Sequence, residues 1–340
     1  MGRKTLGSVG EFGFLKELRP RLGSRDPYVA LGAGDDAAIL RPTPGRETVF
    51  TTDLMVEGRH FDLRTITPWQ LGAKCMAVNL SDCAAMGAEP KAAVVSLGAP
   101  KKFPYRKLMA FCDGLVAWGR RFGCSIVGGD TVGSDQLVVN VAMLGEVEKG
   151  RALRRDAARV GDVLLVTGFL GDSGAGLHSL MHPGRKAGEA RPFLHQRHHT
   201  PVPRCAAGRF LARKGYSRCA IDVSDGLSSE VNHLCEESGV GAEVHAEALP
   251  LSQALSYYCQ EAKIDPLRFA LDGGEDYELL FTVPLKRLRP VLRRMSAETG
   301  MTITPIGRIV PKKQGIRLID EKGRKRPLVP GGFDHFSRVR

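Results

Sequence analysis

The chain has 340 residues, which at about 150 residues per domain suggests two domains. Hydrophobic residues make up 43% and charged residues 25%, an ordinary globular composition that excludes a disordered chain. Lys and Arg number 49 against 37 Asp and Glu, for a net charge of +12. The basic residues are dispersed in pairs such as Lys101-Lys102 and Arg293-Arg294. Aromatics are only 6%. Together these argue against a nucleic-acid-binding module, which concentrates cations and stacking rings on one face, while a positive field suits small anionic substrates.

Eight cysteines are spread from Cys75 to Cys259 with no C-x-x-C pair, so a zinc ribbon or redox pair is not expected. They read as small buried hydrophobes with reduced thiols, which points to the cytoplasm. No window approaches 18 uninterrupted apolar residues, so no membrane-spanning helix is expected.

In chain order, the pattern predicts a strand over 48–52 and a helix over 69–85, with Leu71, Cys75 and Val78 on one face. A strand over 93–97, a helix over 107–122 and strands over 125–127 and 137–144 follow. The polar stretch 146–162 is the expected boundary, dividing the chain into 1–148 and 149–340. Beyond it come a strand over 163–167 and a glycine-rich turn, Gly171-Asp172-Ser173-Gly174, opening a helix over 175–180. Residues 195–199, His-Gln-Arg-His-His, read as a solvated polar loop near Pro192 and Pro201. Helices are predicted over 204–214, 227–237, 252–261 and 288–298, and strands over 220–223, 278–283, 303–310 and 316–319. Gly123, Gly215, Gly239 and Gly300 supply helix stops. Strands and helices alternate without strict βαβ regularity, so two α/β domains with mixed sheets are expected.

The chemistry is carried by acids beside Gly, Ser or Thr, at strand ends and, for Asp82, on a helix. They are Gly34-Asp35-Asp36, Thr51-Thr52-Asp53, Ser81-Asp82, Gly128-Gly129-Asp130-Thr131, Asp222-Val223-Ser224-Asp225-Gly226 and Gly273-Gly274-Glu275-Asp276. Any one reads as a turn or cap. Six in a basic protein point further, because carboxylates gather in one cleft only around cations. Hard oxygen donors suit Mg²⁺ bridging to phosphates, and the glycines let backbone N–H groups approach phosphate oxygens. Gly32-Ala33-Gly34-Asp35-Asp36-Ala37 mimics a dinucleotide fingerprint, but Pro42 and Pro44 exclude the helix that must follow it. There is no Gly-Lys dipeptide and hence no P-loop.

In order and spacing these segments resemble the thiamine-monophosphate kinase family, within the aminoimidazole ribonucleotide synthetase-like ATP-binding superfamily. Further segments that carry the resemblance include Gly10-Glu11-Phe12, Gly58-Arg59-His60-Phe61, Ala77-Val78-Asn79-Leu80-Ser81-Asp82, Gly150-Arg151-Ala152-Leu153-Arg154-Arg155, Leu271-Asp272-Gly273-Gly274-Glu275-Asp276-Tyr277-Glu278-Leu279 and Gly332-Phe333-Asp334-His335-Phe336. The resemblance implies an N-terminal domain that dimerises through its sheet, a C-terminal α/β domain, and an active site between them. It implies a homodimer that phosphorylates thiamine monophosphate with ATP and several Mg²⁺ ions. Carried over residue by residue, the Mg²⁺ ligands are Asp36, Thr51, Thr52, Asp53, Asp82, Asp130, Asp222 and Asp225. The ATP contacts are Gly129, Asp130, Arg155 and Ser224, with Arg154 an alternative to Arg155. The thiamine phosphate contacts are His60, Glu275 and Phe333. The acceptor is already ionised, so neither a general base nor a covalent nucleophile is expected. The alternative within the superfamily is an aminoimidazole ribonucleotide or selenophosphate synthetase-like activity.

Overall fold

The computed structural model describes residues 4–22, 26–183 and 188–332. The chain divides into two compact units, one of Met1–Cys83 with Ala88–Lys149, the other of Ala84–Gly87 with Gly150–Arg340. Both are mixed α/β.

The first unit contains α1 (Leu6–Leu18), β1 (Val29–Leu31), β2 (Ile39–Leu40), β3 (Arg46–Val56), α2 (Pro68–Ala85), whose last turn passes into the second unit, β4 (Glu89–Ala99), α3 (Tyr105–Arg121), β5 (Ser125–Gly133) and β6 (Val138–Glu148). Its main sheet has the order β3-β6-β4-β5. The β3–β6 and β6–β4 pairs are antiparallel, and β4–β5 is parallel. Burial along β3 and β6 alternates residue by residue, as a sheet covered on one face requires. Helices α2 and α3 approach closely through Gly72 and Gly114, where a Cβ would collide with the Phe111 and Trp69 carbonyls.

The opposite face of this sheet carries apolar side chains: Phe50 is 69% exposed, Leu54 53% and Val132 56%. The strands run well past their sequence-predicted ends. Asp53 and Asp130 therefore stand inside strands rather than at strand ends. Gly128-Gly129 was expected to be a turn. The strand continues because Gly129 lies where a Cβ would drive into the Val95 carbonyl of β4, a close approach that only glycine permits.

The second unit contains β7 (Asp162–Thr167), α4 (Asp172–Met181), α5 (Ala190–His199), α6 (Cys205–Lys214), β8 (Cys219–Asp222), α7 (Leu227–Ser238), β9 (Gly241–His245), α8 (Gln253–Ala262), α9 (Pro266–Asp272), β10 (Leu279–Pro284), α10 (Leu288–Thr299), β11 (Ile303–Val310), β12 (Ile316–Ile319) and β13 (Lys325–Pro327). Its seven strands run β13-β12-β9-β11-β7-β10-β8, antiparallel except for β9–β12. Leu164, Val166, Ile221, Val244, Leu280 and Ile306 from the strands meet Leu227, Val231 and Leu234 of α7 in the core. Helices α6, α7 and α10 stop at Gly215, Gly239 and Gly300, all left-handed with φ of 62–67°, the stop that glycine allows.

Residues 195–199 are not a loop. They complete α5, with Leu194, His198 and His199 buried. Pro192 sits in the helix's first turn, where no N–H is required of it. All eight cysteines are buried thiols, and burial pushes Cys75, Cys112, Cys205, Cys219 and Cys235 up to about 12. Among the described residues no helix is long and apolar enough to cross a membrane.

Candidate active site

In the first unit, Thr51 and Asp53 alternate with outward residues along β3 and face α2. There the Thr51 hydroxyl donates to Asp82 Oδ2. Burial, and then the nearby Asp82 charge, raise Asp53 to about 7. Asp53, Asp82 and the Thr51 hydroxyl form an anionic, hard-oxygen group whose own electrostatics oppose full ionisation. These are the donors Mg²⁺ takes, and relief of this repulsion is what a divalent cation would supply. Among the described residues no three His, Cys, Asp or Glu side chains are grouped so as to hold an ion.

Register separates the remaining candidates of this unit. The row Asp53–Val141–Val95–Gly129 crosses all four strands, and the next row is Leu54–Asn140–Ser96–Asp130. Adjacent rows project to opposite faces, so Asp130 and Thr52 lie on the face opposite Asp53. The Thr52 hydroxyl is engaged with Asn140 Oδ1 (3.2 Å) and the Val141 carbonyl (3.1 Å). Asp130 instead borders a cavity of about 910 Å³ along edge strand β5, which it shares with Asp36, Gly34 and Gly129. Its apolar walls include Phe14, Leu15 and Leu115, and Lys16 and Arg19 of the α1 region line it too. These cationic and aromatic positions were not singled out as site residues from sequence; only Gly10-Glu11-Phe12 hinted at the segment. His60 closes the turn after β3, its Nδ1 accepting from the Val56 N–H at 3.0 Å.

In the second unit, β8 ends on Asp222, and the turn from it into α7 carries Ser224 and Asp225. The Ser224 hydroxyl and the Asp225 N–H both donate to buried Glu230 Oε1, at 3.3 and 3.0 Å. The segment around Glu275 lies against this turn: Glu275 N–H donates to the Ser224 carbonyl (2.6 Å) and Tyr277 N–H to that of Val223 (2.9 Å). Gly332, where a Cβ would strike the Asp225 carbonyl, brings the C-terminal strap to the same place. Phe333 lies outside the described residues. Arg154 is paired with Asp156, whereas the neighbouring Arg155 is exposed and makes no ion pair with a described residue.

Behind this surface is an acid set of another kind. Glu278 is fully buried and receives Arg204, Arg197 (2.8 Å) and the Thr167 hydroxyl (2.6 Å). Burial pushes its carboxyl up, but the Arg204 charge and hydrogen bond, with Arg197 and Thr167, bring it below the usual range. Asp276 accepts the N–H groups of Gly171 (2.6 Å) and Ser173 (3.1 Å) at the start of α4. Burial outweighs those bonds and the Arg197 charge, and holds Asp276 at about 7.

Known proteins of the same build decide the family. The AIR synthase related protein N-terminal domain matches residues 34–147, and its C-terminal domain residues 159–320. The thiamine-monophosphate kinase of Bacillus subtilis (strain 168) is 36% identical over 336 residues, covering 97% of this chain and 100% of that protein. This chain belongs to the thiamine-monophosphate kinase family. Two solved structures of similar proteins extend the likeness to the fold. The enzyme from Stenotrophomonas maltophilia K279a has a TM-score of 0.82 at 35% identity, over 93% of this chain and 98% of that one. AaThiL complexed with AMPPCP and TMP has a TM-score of 0.77 at 34% identity, over 99% of this chain and 100% of that one. The two-domain fold with mixed sheets expected from the sequence is the fold of this family.

Proposed function

We propose that this chain transfers the γ-phosphate of ATP to thiamine monophosphate, giving thiamine diphosphate and ADP. The observation that carries this reading is the end-to-end likeness to AaThiL, a protein solved with the ATP analogue AMPPCP together with TMP. A terminal phosphate oxygen of the acceptor attacks the γ-phosphorus in line, and the bond to the β-phosphate oxygen breaks as ADP leaves. That oxygen is already ionised near neutral pH. No side chain need remove a proton, and the chain's task is positioning and charge neutralisation.

Bound Mg²⁺ would neutralise phosphate charge. Thr51, Asp53 and Asp82 are the group that fits it best. Asp36 and Asp130, sharing one cavity on the other side of β5, fit a separate ion rather than the Asp53–Asp82 one. Thr52, Asp222 and Asp225 complete the proposed ligand set. Gly129 would present its main chain to the phosphates, with Ser224 a further nucleotide contact. Arg155 is favoured over Arg154 because the latter's guanidinium is occupied by Asp156. His60, Glu275 and Phe333 are the proposed contacts to thiamine phosphate.

The apolar sheet face of Phe50, Leu54 and Val132 is unusual for a solvated surface and supports a homodimer formed through that sheet. The buried thiols and the ATP requirement support a cytoplasmic setting. An assay of purified protein with ATP, Mg²⁺ and either thiamine monophosphate or thiamine tests the reading. Phosphorylation of the monophosphate alone is expected; an alcohol acceptor would need a base, and rapid turnover of thiamine overturns the mechanism.

A further inference from the structure

The backbone around Glu275 is held in an uncommon conformation. Gly274, Glu275 and Tyr277 have φ of 65°, 56° and 51°. Left-handed residues other than glycine are strained and persist where the surroundings over-determine them. The restraints are identifiable. The N–H groups of Glu275 and Tyr277 are tied to the β8–α7 turn. Between them Asp276 turns inward onto the first residues of α4. Glu275 is left half-buried beside that turn, with Oε2 3.3 Å from His198 Nδ1. The same nitrogen lies 3.1 Å from Ser173 Oγ.

Ser173 thus joins two restraints: its main chain is gripped by Asp276, and its hydroxyl meets the ring that faces Glu275. Ser173, His198 and an acid superficially compose a nucleophilic triad. A working triad needs the serine and the acid on opposite ring nitrogens. Here both face Nδ1, so the ring has no second nitrogen in the relay. A bare lone pair on Nδ1 would repel a carboxylate, so Nδ1 carries the hydrogen and donates towards Glu275.

From this geometry we infer that His198 is a positioning residue for Glu275, fixing the carboxylate where it meets the cationic thiazolium of the substrate. The inference rests on the proposed contact between Glu275 and thiamine monophosphate. His198 lies on α5 with its ring buried, so it orders the carboxylate before substrate arrives. Its effect therefore falls on the thiamine phosphate and not on ATP.

Steady-state kinetics of the full chain test this. His198→Ala should raise KM for thiamine monophosphate about tenfold, leaving kcat and KM for ATP within about twofold, the loss of one hydrogen bond to a charged group. Asparagine places its amide nitrogen near the position of Nδ1, so His198→Asn should bring KM back to within about threefold of wild type. On a Glu275→Gln background, His198→Ala should add nothing. Equal rises in both KM values, or His198→Asn no better than His198→Ala, would show His198 to be structural only. If Glu275→Gln itself leaves KM for thiamine monophosphate unchanged, the assignment of Glu275 has failed. If Glu275→Gln raises it and His198→Ala does not, Glu275 stands and the role of His198 falls. Should His198→Ala not fold, His198→Phe carries the test, since it keeps the ring's bulk and removes Nδ1. It should raise the same KM alone, by about tenfold, and no rise overturns the inference.

Discussion

The two units bury acids in opposite ways. In the second, Glu278 and Asp276 are matched by the chain itself, with guanidinium groups for one and main-chain N–H groups for the other. In the first, Asp82 accepts the Thr51 hydroxyl, and Asp53 is raised by burial and by the nearby Asp82 charge, both unfavourable to its ionisation. A buried acid matched by its own protein serves the fold. An acid set close to another acid works against the fold when both are charged. Asp276 and Glu278 are fully buried and Asp53 and Asp82 half-buried, and it is the partner that distinguishes a structural carboxylate from one prepared for a ligand.

The largest effect expected from this contrast is in the second unit. Arg204→Ala removes one of the two cations on Glu278 and leaves a buried charge under-compensated, which should destabilise the protein by about 3 kcal/mol. Urea unfolding reads this directly, and a loss within error of zero would remove the distinction drawn for Glu278.

A smaller effect concerns pH. Asp276 has a folded value of about 7, above its ordinary 3.8, so between those values the folded state binds more protons than the unfolded state. Its contribution to stability is complete below about pH 4 and is lost as pH rises through 7, with a slope of at most about 1.4 kcal/mol per pH unit. The difference in unfolding free energy between wild type and Asp276→Asn should therefore change across this window. A constant difference from pH 4 to 8 would contradict the placement of Asp276.

The smallest effect sharpens the comparison at its edge, between an arginine already paired and its neighbour. Arg155→Ala should raise KM for ATP about fivefold, roughly 1 kcal/mol, while Arg154→Ala leaves it unchanged. The reverse pattern would move the nucleotide contact to Arg154.

Much of this was legible in the sequence because local chemistry carries it. The helix stops at Gly215, Gly239 and Gly300 follow from the left-handed backbone they adopt, and α7 and α10 fall within a residue of their predicted spans. Helix α5 was hidden because its buried face includes histidines, whose packing against Ser173 and Glu275 is a long-range fact. Strand β5 was cut short because Gly128-Gly129 looks like a turn unless the β4 carbonyl beside it is known. The acids themselves were found from their glycine and hydroxyl neighbours. Which face each occupies was not, because a one-residue difference in register reverses a side chain. That is why Asp53 and Asp130, both flagged from sequence, stand on opposite faces of one sheet.

Thermal melting of wild type and Asp53→Asn at pH 8, with and without Mg²⁺ and an ATP analogue, tests the central contrast most directly. Without ligand, Asp53→Asn should melt about 2 °C higher, because it relieves like-charge repulsion. With Mg²⁺ and nucleotide, the wild type should gain melting temperature by mass action, and Asp53→Asn should lose most of that gain because an amide is a poor Mg²⁺ ligand. A variant that melts lower than wild type without ligand yet keeps the full shift would show that Asp53 belongs with the structural acids, and the distinction between the two units would be wrong.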